Sequence, residues 1–267
     1  MRPAQPSGKC QARANCPRWQ ITLDVHIFEL LEGVMRIGIV GAGMMGSTLA
    51  KLWVDAGHEV RLSSRHPNEL QPIVRRLGER ASAGTPQDAV EFGDVVMMTV
   101  PLKAMPELSR DLGPLLAGKI VLDTGNAHEQ RDGSFAREAT RDPRGSAGWS
   151  ASMFPRVRWV KAFNAVYYKT LQKEAHRNGE QVGIPLASDD KEALDVTGGL
   201  VRDAGFDPVF VGDLNLGRKF EPGTSVYNTG MTGRELRVLV GEKRSFGTAQ
   251  TPNQPTDSNR AAEGPHN

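Results

Sequence analysis

The chain has 267 residues with a formal net charge of +2, and 39% of its residues are hydrophobic and 24% charged. This composition is typical of a globular protein large enough to bury a core. It shows neither the basic excess of a nucleic-acid-binding protein nor a run of 18 apolar residues that would predict a membrane span. Both cysteines, Cys10 and Cys16, precede residue 35, which predicts no disulfide framework and no thiolate metal site in the body of a cytoplasmic protein.

Both ends of the chain are predicted to lie outside the fold. Residues 1–34 are polar except around residues 25–31, and they lack the features of a secretory signal. Codons for Glu32 and Gly33 can encode a ribosome-binding sequence, so our hypothesis is that Met35 is the native start and residues 1–34 are an extension. The alternative is that residues 25–31 add a helix or strand. Residues 244–267 are rich in Pro, Thr, Asn and Gly, which predicts a disordered tail.

The most informative motif is a glycine turn that follows a short apolar stretch. Residues 36–40 are predicted to form a buried strand, and the next residues have the GxGxxG spacing of a dinucleotide-binding turn. In such a turn the backbone approaches a pyrophosphate, which also meets the N-terminus of the following helix. The residues expected to hold the pyrophosphate are Gly41, Gly43, Met44, Met45 and Gly46.

A complete βαβ unit supports this interpretation and indicates which dinucleotide binds. A helix is predicted at 47–56, with Gly57 after it, and a second strand at 59–63. An acidic residue after that strand would bind the ribose of NAD, and none is present. The sequence instead offers hydroxyl groups and a guanidinium suited to the 2′-phosphate of NADP, the alternative being that the arginine is a solvated loop residue. These residues are Ser63, Ser64 and Arg65.

Strands and helices alternate through the rest of the chain, which predicts an α/β fold with a doubly wound Rossmann-type sheet and a small C-terminal α/β extension. The predicted domains are residues 35–165, which bind the dinucleotide, and 166–243, a lobe that completes the second-substrate cleft. Further helices are predicted at 67–77, 85–92 and 190–204, and a candidate last helix at 231–240. Further strands are predicted at 94–100, 119–123, 159–164, 181–187 and 207–211, followed by an irregular loop at 217–223.

Ligands of an open α/β sheet lie beyond the carboxyl ends of its strands. Val100, Pro101 and Leu102 follow one predicted strand and are therefore expected to approach the dinucleotide. Polar residues follow the next two predicted strands on the same side. A cavity for a second substrate would then be bounded by Asn126, Asn164 and residues 217–223.

Several stretches together resemble the NADP-dependent oxidoreductases of the deazaflavin coenzyme F-420, whose fold also occurs in a class of membrane ferric reductases. They are residues 35–54, LSSRH at 62–66, Val100 and Pro101, KAFNA at 161–165, and residues 183–191 with 203–214. The resemblance covers about residues 35–237.

This resemblance implies hydride transfer between NADPH and F-420 or a flavin-like planar acceptor. It also implies that residues 43–46 hold the pyrophosphate, residues 63–65 the 2′-phosphate and residues 100–102 the nicotinamide, with Asn164 in the second pocket. Differences at residues 123–126 and 165–168 leave the acceptor open: FMN, FAD, an oxidised metal complex or another small molecule would also serve.

No catalytic residue and no metal ligand is assigned, because hydride transfer needs mainly position. His128 and Lys161 are the best candidates to protonate or orient an acceptor; the alternative is a surface or supporting role. His58, after the Gly57 turn, is expected to be structural. Tyr167 and Tyr168 would either stack on a planar acceptor or cover the interface of a homodimer.

An alternative function is a catalytically idle module that senses NADPH and regulates a partner. Such a module needs only the glycine turn and the residues that read the 2′-phosphate. An enzyme also needs a cavity beside the nicotinamide for a small redox acceptor.

Overall fold

The structure is a computed structural model that describes residues 33–241. These residues form one eight-stranded sheet flanked by helices. The predictions for the N-terminal extension, for an extra element at 25–31 and for the tail at 244–267 lie outside the described residues, apart from Gly33 and Val34.

The strands and helices alternate along the chain. The strands are β1 (Arg36–Val40), β2 (Glu59–Ser63), β3 (Ala81–Gly84), β4 (Val95–Met98), β5 (Ile120–Asp123), β6 (Arg158–Lys161), β7 (Gly183–Ala187) and β8 (Asp207–Gly212). The α-helices are α1 (Met44–Asp55), α2 (Gln71–Leu77), α3 (Pro86–Phe92), α4 (Met105–Leu116), α5 (Glu129–Asp132), α6 (Ser134–Arg141), α7 (Gly145–Ser152), α8 (Tyr168–Glu174), α9 (Lys191–Asp203) and α10 (Gly233–Val240). Short 3₁₀ helices cover Pro67–Leu70, Leu102–Ala104 and Leu214–Phe220.

The strand order is β3-β2-β1-β4-β5-β6-β7-β8. Strands β1 to β6 are parallel, because a crossover returns the chain to the same edge each time. β7 runs antiparallel to β6 through the pair Lys161 and Ala187, and β8 is parallel to β7. The predicted doubly wound Rossmann-type sheet is confirmed, and the carboxyl ends of β1 to β6 share one edge.

The sheet has a hydrophobic core on each face, which explains the continuous apolar runs in its central strands. In β4, Val95 and Met97 pack into one core, whereas Val96 and Met98 pack into the other. Trp53 of α1 is fully buried, and its indole Nε1 donates to the carbonyl of Leu200 in α9 at 2.9 Å. This bond joins α1, the helix after the glycine turn, to the C-terminal βαβ unit, which consists of β7, α9 and β8.

Local capping signals were reliable guides to helix boundaries. Thr85 caps α3 in a capping box with Asp88, as the Thr-Pro sequence predicts. The candidate helix at 231–240 forms as α10, with Thr232 and Glu235 in a second capping box. By contrast, β3 was not predicted, because its sequence Ala-Ser-Ala-Gly has no large apolar or β-branched residue.

His58 has the structural role that was expected of it. Its side chain is buried, and Nδ1 accepts the backbone N–H of Met35 at 3.1 Å. The other ring nitrogen, Nε2, lies 3.2 Å from a carboxylate oxygen of Asp203. The ring therefore ties the start of β1 to the end of α9.

Candidate functional site

The glycine turn after β1 is closed on one side and open on the other. Gly41 has φ +108°, and a Cβ there would lie 2.5 Å from the carbonyl oxygen of Thr99. A Cβ at Gly46 would lie 2.1 Å from the carbonyl oxygen of Gly41. At Gly43 a Cβ would have no protein atom within 4 Å. Gly41 and Gly46 are thus required by packing, whereas Gly43 faces the space that a ligand would fill.

The first turn of α1 faces the same space with unpaired donors. Gly43 is its N-cap, no side chain caps the helix, and the first turn contains no acidic residue. The N–H groups of Met44, Met45 and Gly46 have no partner within the helix, and they lie at its positive end. This arrangement fits the pyrophosphate of a dinucleotide.

The end of β2 lies beside the glycine turn, since Ser63 pairs in register with Val40. Ser63 is fully buried, and its hydroxyl donates to the carbonyl of Ile39 at 2.8 Å. The prediction that Ser63 holds a 2′-phosphate is therefore corrected: the hydroxyl is used inside the sheet.

Ser64 and Arg65 remain available for that role. The hydroxyl oxygen of Ser64 accepts the N–H of His66 at 3.1 Å, which leaves its own proton to donate. Arg65 is exposed, and within residues 33–241 its guanidinium makes no ion pair or hydrogen bond. An exposed, uncompensated guanidinium beside a dinucleotide turn fits a phosphate monoester.

A cavity of about 270 Å³ opens at the carboxyl ends of β1, β4, β5 and β6. The predicted site residues that line it are Met44, Met45, Val100, Pro101, Asn126 and Asn164. The other lining residues are Thr99, Thr124, Gly125, His128, Arg131, Val166, Tyr167, Tyr168, Tyr227 and Asn228. Leu102 is a correction, because its side chain is fully buried in the core and does not reach the cavity.

Asn126 and Asn164 form a reciprocal pair at the floor of this cavity. The Asn164 amide donates to Asn126 Oδ1 at 3.0 Å and to the carbonyl of Phe220 at 3.1 Å. The Asn126 amide donates to the carbonyl of Asn164 at 2.8 Å. Because these bonds fix the orientation of the Asn164 amide, its Oδ1 is left buried without a partner in the described structure.

Phe163 explains how Asn164 reaches the cavity. It is fully buried and has φ +59°, a left-handed conformation that is strained for a bulky residue. Its ring meets Trp53 edge to face, with 6.0 Å between ring centroids. Packing therefore holds a backbone turn that directs the chain out of β6. No pattern in the sequence indicates this turn.

Lys161 lies under the cavity rather than at its surface. Its side chain is fully buried, and Nζ donates to Asp123 Oδ2 at 3.2 Å, to Ser146 Oγ at 3.1 Å and to the carbonyl of Gly125. Ser146 Oγ in turn donates to Glu221 Oε1 at 2.6 Å. This chain of bonds supports the turn before Asn126, so Lys161 has a supporting role and does not face a ligand.

The family model described as NADP oxidoreductase coenzyme F420-dependent matches residues 36–127. The match is confined to that segment, about a third of the chain, which is therefore similar to this family there. The match covers the glycine turn, the end of β2 and the first half of the cavity wall, which are the parts that fit a dinucleotide.

Individual relatives extend the likeness beyond the family segment. Metalloreductase STEAP3 of Rattus norvegicus is 29% identical over 198 residues, which are 74% of this chain and 38% of that protein. F420-dependent NADP reductase of Methanothermobacter thermautotrophicus is 28% identical over 182 residues, 63% of this chain and 77% of that protein. The solved structure of hypothetical protein SMa0349 from Sinorhizobium meliloti has a TM-score of 0.65 at 25% identity and covers 77% of this chain and 98% of its own. The chain thus spans well under half the length of the metalloreductase.

His128 contributes a neutral ring to the cavity. Burial and the neighbouring charge of Arg131 lower the pKa of His128 below its usual value, although Asp132 acts in the opposite direction. An imidazole with a lowered pKa is uncharged at pH 7. It can exchange a hydrogen bond with an acceptor but carries no fixed charge.

Tyr167 and Tyr168 form an aromatic wall at the mouth of the cavity. Their ring centroids are 4.6 Å apart, and Tyr167 is 47% exposed.

Within residues 33–241, no group of three or more His, Cys, Asp and Glu side chains is arranged to hold a metal. No helix within this part of the chain is long and apolar enough to cross a membrane.

Proposed function

We propose that the protein is an NADP(H)-dependent oxidoreductase that transfers a hydride between NADPH and F-420 or another flavin-like planar acceptor. The observation that carries the proposal is that the open helix N-terminus and the cavity share two residues. Met44 and Met45 belong to the open helix N-terminus and also line the cavity. A phosphate cradle and a polar-walled cavity are therefore parts of one continuous site.

The chain supplies position rather than an acid or base. A bound NADPH would supply the hydride, so that the acceptor ring with one solvent proton would become its dihydro form and NADPH would become NADP⁺. Val100 and Pro101 line the cavity next to the glycine turn, and we expect them to contact the nicotinamide. Ideal orientation of two reactants can lower an activation barrier by about 7–11 kcal/mol. Holding the two rings in contact within one cleft would supply several kcal/mol of this.

The acceptor side of the cavity favours a planar ring with an N–H edge. Asn164 Oδ1 is buried without a partner, and an N–H group from the acceptor would satisfy it. Tyr167 and Tyr168 offer aromatic faces nearby. An imide N–H between two carbonyl groups, as in deazaflavins and flavins, has the chemistry that this edge requires.

The test is anaerobic stopped-flow oxidation of NADPH by the purified protein, with F-420, FMN, FAD and a ferric chelate offered separately. We expect rapid turnover with one planar acceptor. Tight binding of NADPH without turnover for any of them would overturn the proposal and favour an NADPH-sensing module.

A variant separates the acceptor site from the NADPH site. Asn164→Leu removes the unpaired oxygen together with the bonds that the amide donates to Asn126 and Phe220. We expect the KM for the acceptor to rise about tenfold while the Kd for NADPH is unchanged. Asn215→Leu, an exposed residue outside the cavity, is the matched control. Loss of NADPH affinity in Asn164→Leu would show that Asn164 serves the dinucleotide instead.

A further inference from the structure

The side chains that line the cavity differ in charge from an ordinary protein surface, where both signs occur. Among its lining residues only Arg131 carries a permanent charge, and none is an aspartate or glutamate. The other polar groups are neutral amides, hydroxyls and the imidazole of His128. A ligand in this cavity therefore meets a single cationic group and no anionic one.

Arg131 is held in place before any ligand binds. Its Nε and Nη2 donate to the carboxylate of Asp132, with Nη2 to Oδ2 at 2.8 Å. Nη2 also donates to the carbonyl of Asn126 at 2.8 Å, which anchors the guanidinium beside the asparagine pair. Nη1 has no hydrogen-bond partner among residues 33–241.

The carboxylate behind the guanidinium is well defined. Asp132 has a fully buried side chain and accepts the backbone N–H groups of Lys103 and His128 at 3.4 Å and 3.3 Å. Burial alone would raise the pKa of Asp132, but the bonds from Arg131 and these N–H groups hold it below its usual value. Asp132 is therefore ionised at pH 7 and orients Arg131 from the protein side.

We propose that Arg131 is an anion subsite of the acceptor cavity, so that the protein selects acceptors that carry a phosphate or carboxylate group. This inference rests on the proposed function and adds the charge of the acceptor to it. The free Nη1 of a preoriented guanidinium donates charge-assisted hydrogen bonds without a further loss of side-chain freedom. The carboxylate of Asp132 moderates the attraction but does not face the cavity.

Two flavins with the same ring isolate this charge. FMN carries a phosphate and riboflavin does not, so their ratio of affinities measures the anion subsite alone. With NADP⁺ saturating the protein, quenching of flavin fluorescence gives both Kd values without any turnover. We expect the native protein to bind FMN at least tenfold more tightly than riboflavin.

The variant Arg131→Gln is expected to remove this preference while riboflavin binding changes less than threefold. Arg137→Gln is the matched control, since Arg137 is an exposed arginine of α6 paired with Glu129 and does not line the cavity. If Arg131→Gln is unfolded by the unpaired Asp132, the double variant Arg131→Gln, Asp132→Asn keeps the site neutral and should show the same loss.

The outcomes separate this inference from the proposed function. Equal binding of the two flavins, no binding of FMN at millimolar concentration, or equal weakening of both flavins by Arg131→Gln overturns the anion subsite. A preference for FMN that depends on Arg131, together with failure of NADPH to reduce any acceptor, keeps the subsite and overturns the oxidoreductase.

Discussion

Lys161 and Asp123 form an ion pair in which Nζ and Oδ2 are 3.2 Å apart and neither side chain is exposed. The pair joins the ends of β5 and β6 directly under the turn that leads to Asn126. Its ammonium also reaches Ser146, and through it Glu221, which precedes the cavity residues Tyr227 and Asn228. The floor of the cavity and one of its walls thus depend on the same buried charge.

Replacing Lys161 by Met should destabilise the protein by about 3–5 kcal/mol, because it leaves the carboxylate of Asp123 buried without compensation. Urea unfolding at pH 7 measures the loss. Lys51→Met is the matched control: its exposed pair with Asp55 should contribute less than about 1 kcal/mol. A loss of similar size in both variants would mean that the buried pair does not stabilise the fold.

The glycine turn predicts opposite effects for two neighbouring glycines. Gly43→Val should abolish binding of NADPH and NADH but change the unfolding free energy by only about 1 kcal/mol, because a Cβ at Gly43 meets no protein atom. Gly46→Ala should cost about 2 kcal/mol or more, because its Cβ would overlap the carbonyl oxygen of Gly41. Calorimetric titration measures the affinities for NADPH and NADH, and urea unfolding measures the free energy of unfolding. Retained NADPH binding in Gly43→Val would show that the turn is not the site.

Arg65→Ala tests how the cofactor is chosen. Removing the charged contact to a 2′-phosphate should weaken the binding of NADPH by about 1.5–3 kcal/mol and leave the binding of NADH almost unchanged. Arg75→Ala, an exposed arginine of α2, is the control. The two affinities for each variant can be measured by the fluorescence of the reduced nicotinamide. Equal losses for NADPH and NADH would mean that the 2′-phosphate is bound elsewhere.

Parts of this site that depend on local backbone chemistry could be predicted from the sequence. The GxGxxG turn, the strand before it and β2 follow from glycine spacing and apolar runs, and the structure confirms their positions. The direction of individual side chains could not be predicted. The Ser63 hydroxyl donates to the carbonyl of Ile39 inside the sheet, although Ser63 ends a predicted strand, and Leu102 enters the core, although it follows one.

Arg131 was not predicted as a site residue, for a different reason. Arg131 lies on a four-residue helix and reaches the cavity only because Asp132 and the carbonyl of Asn126 orient it. Asn164 was predicted to bound the cavity, but the left-handed conformation of Phe163 that brings it to the floor was not. Neither arrangement has a sequence pattern, since both depend on elements that are distant along the chain or on a strained backbone.

Asp190 provides a test of stability against pH in the C-terminal βαβ unit. It caps α9 by accepting the N–H of Ala193, and it forms a two-bond ion pair with Arg158. The hydrogen bonds from Arg158 lower the pKa of Asp190 from 3.8 to about 2. A carboxyl whose pKa is lower in the folded state stabilises that state at pH values above its unfolded pKa. This stabilisation is lost as the pH falls from 3.8 through about 2.

Asp190→Asn keeps a capping oxygen but removes the charge, so it isolates the ion pair from the cap. The shift corresponds to about 2.4 kcal/mol, and because Arg158 and Asp190 are 27% and 33% exposed, we expect a loss of only about 1–2 kcal/mol at pH 7. Urea unfolding at pH 7 and pH 3 should show the difference from the native protein becoming smaller at the lower pH. Asp195→Asn, an exposed residue of the same helix, should change stability by about 0.5 kcal/mol or less. A difference for Asp190→Asn that is constant between the two pH values would show that its effect comes from packing and not from the charge.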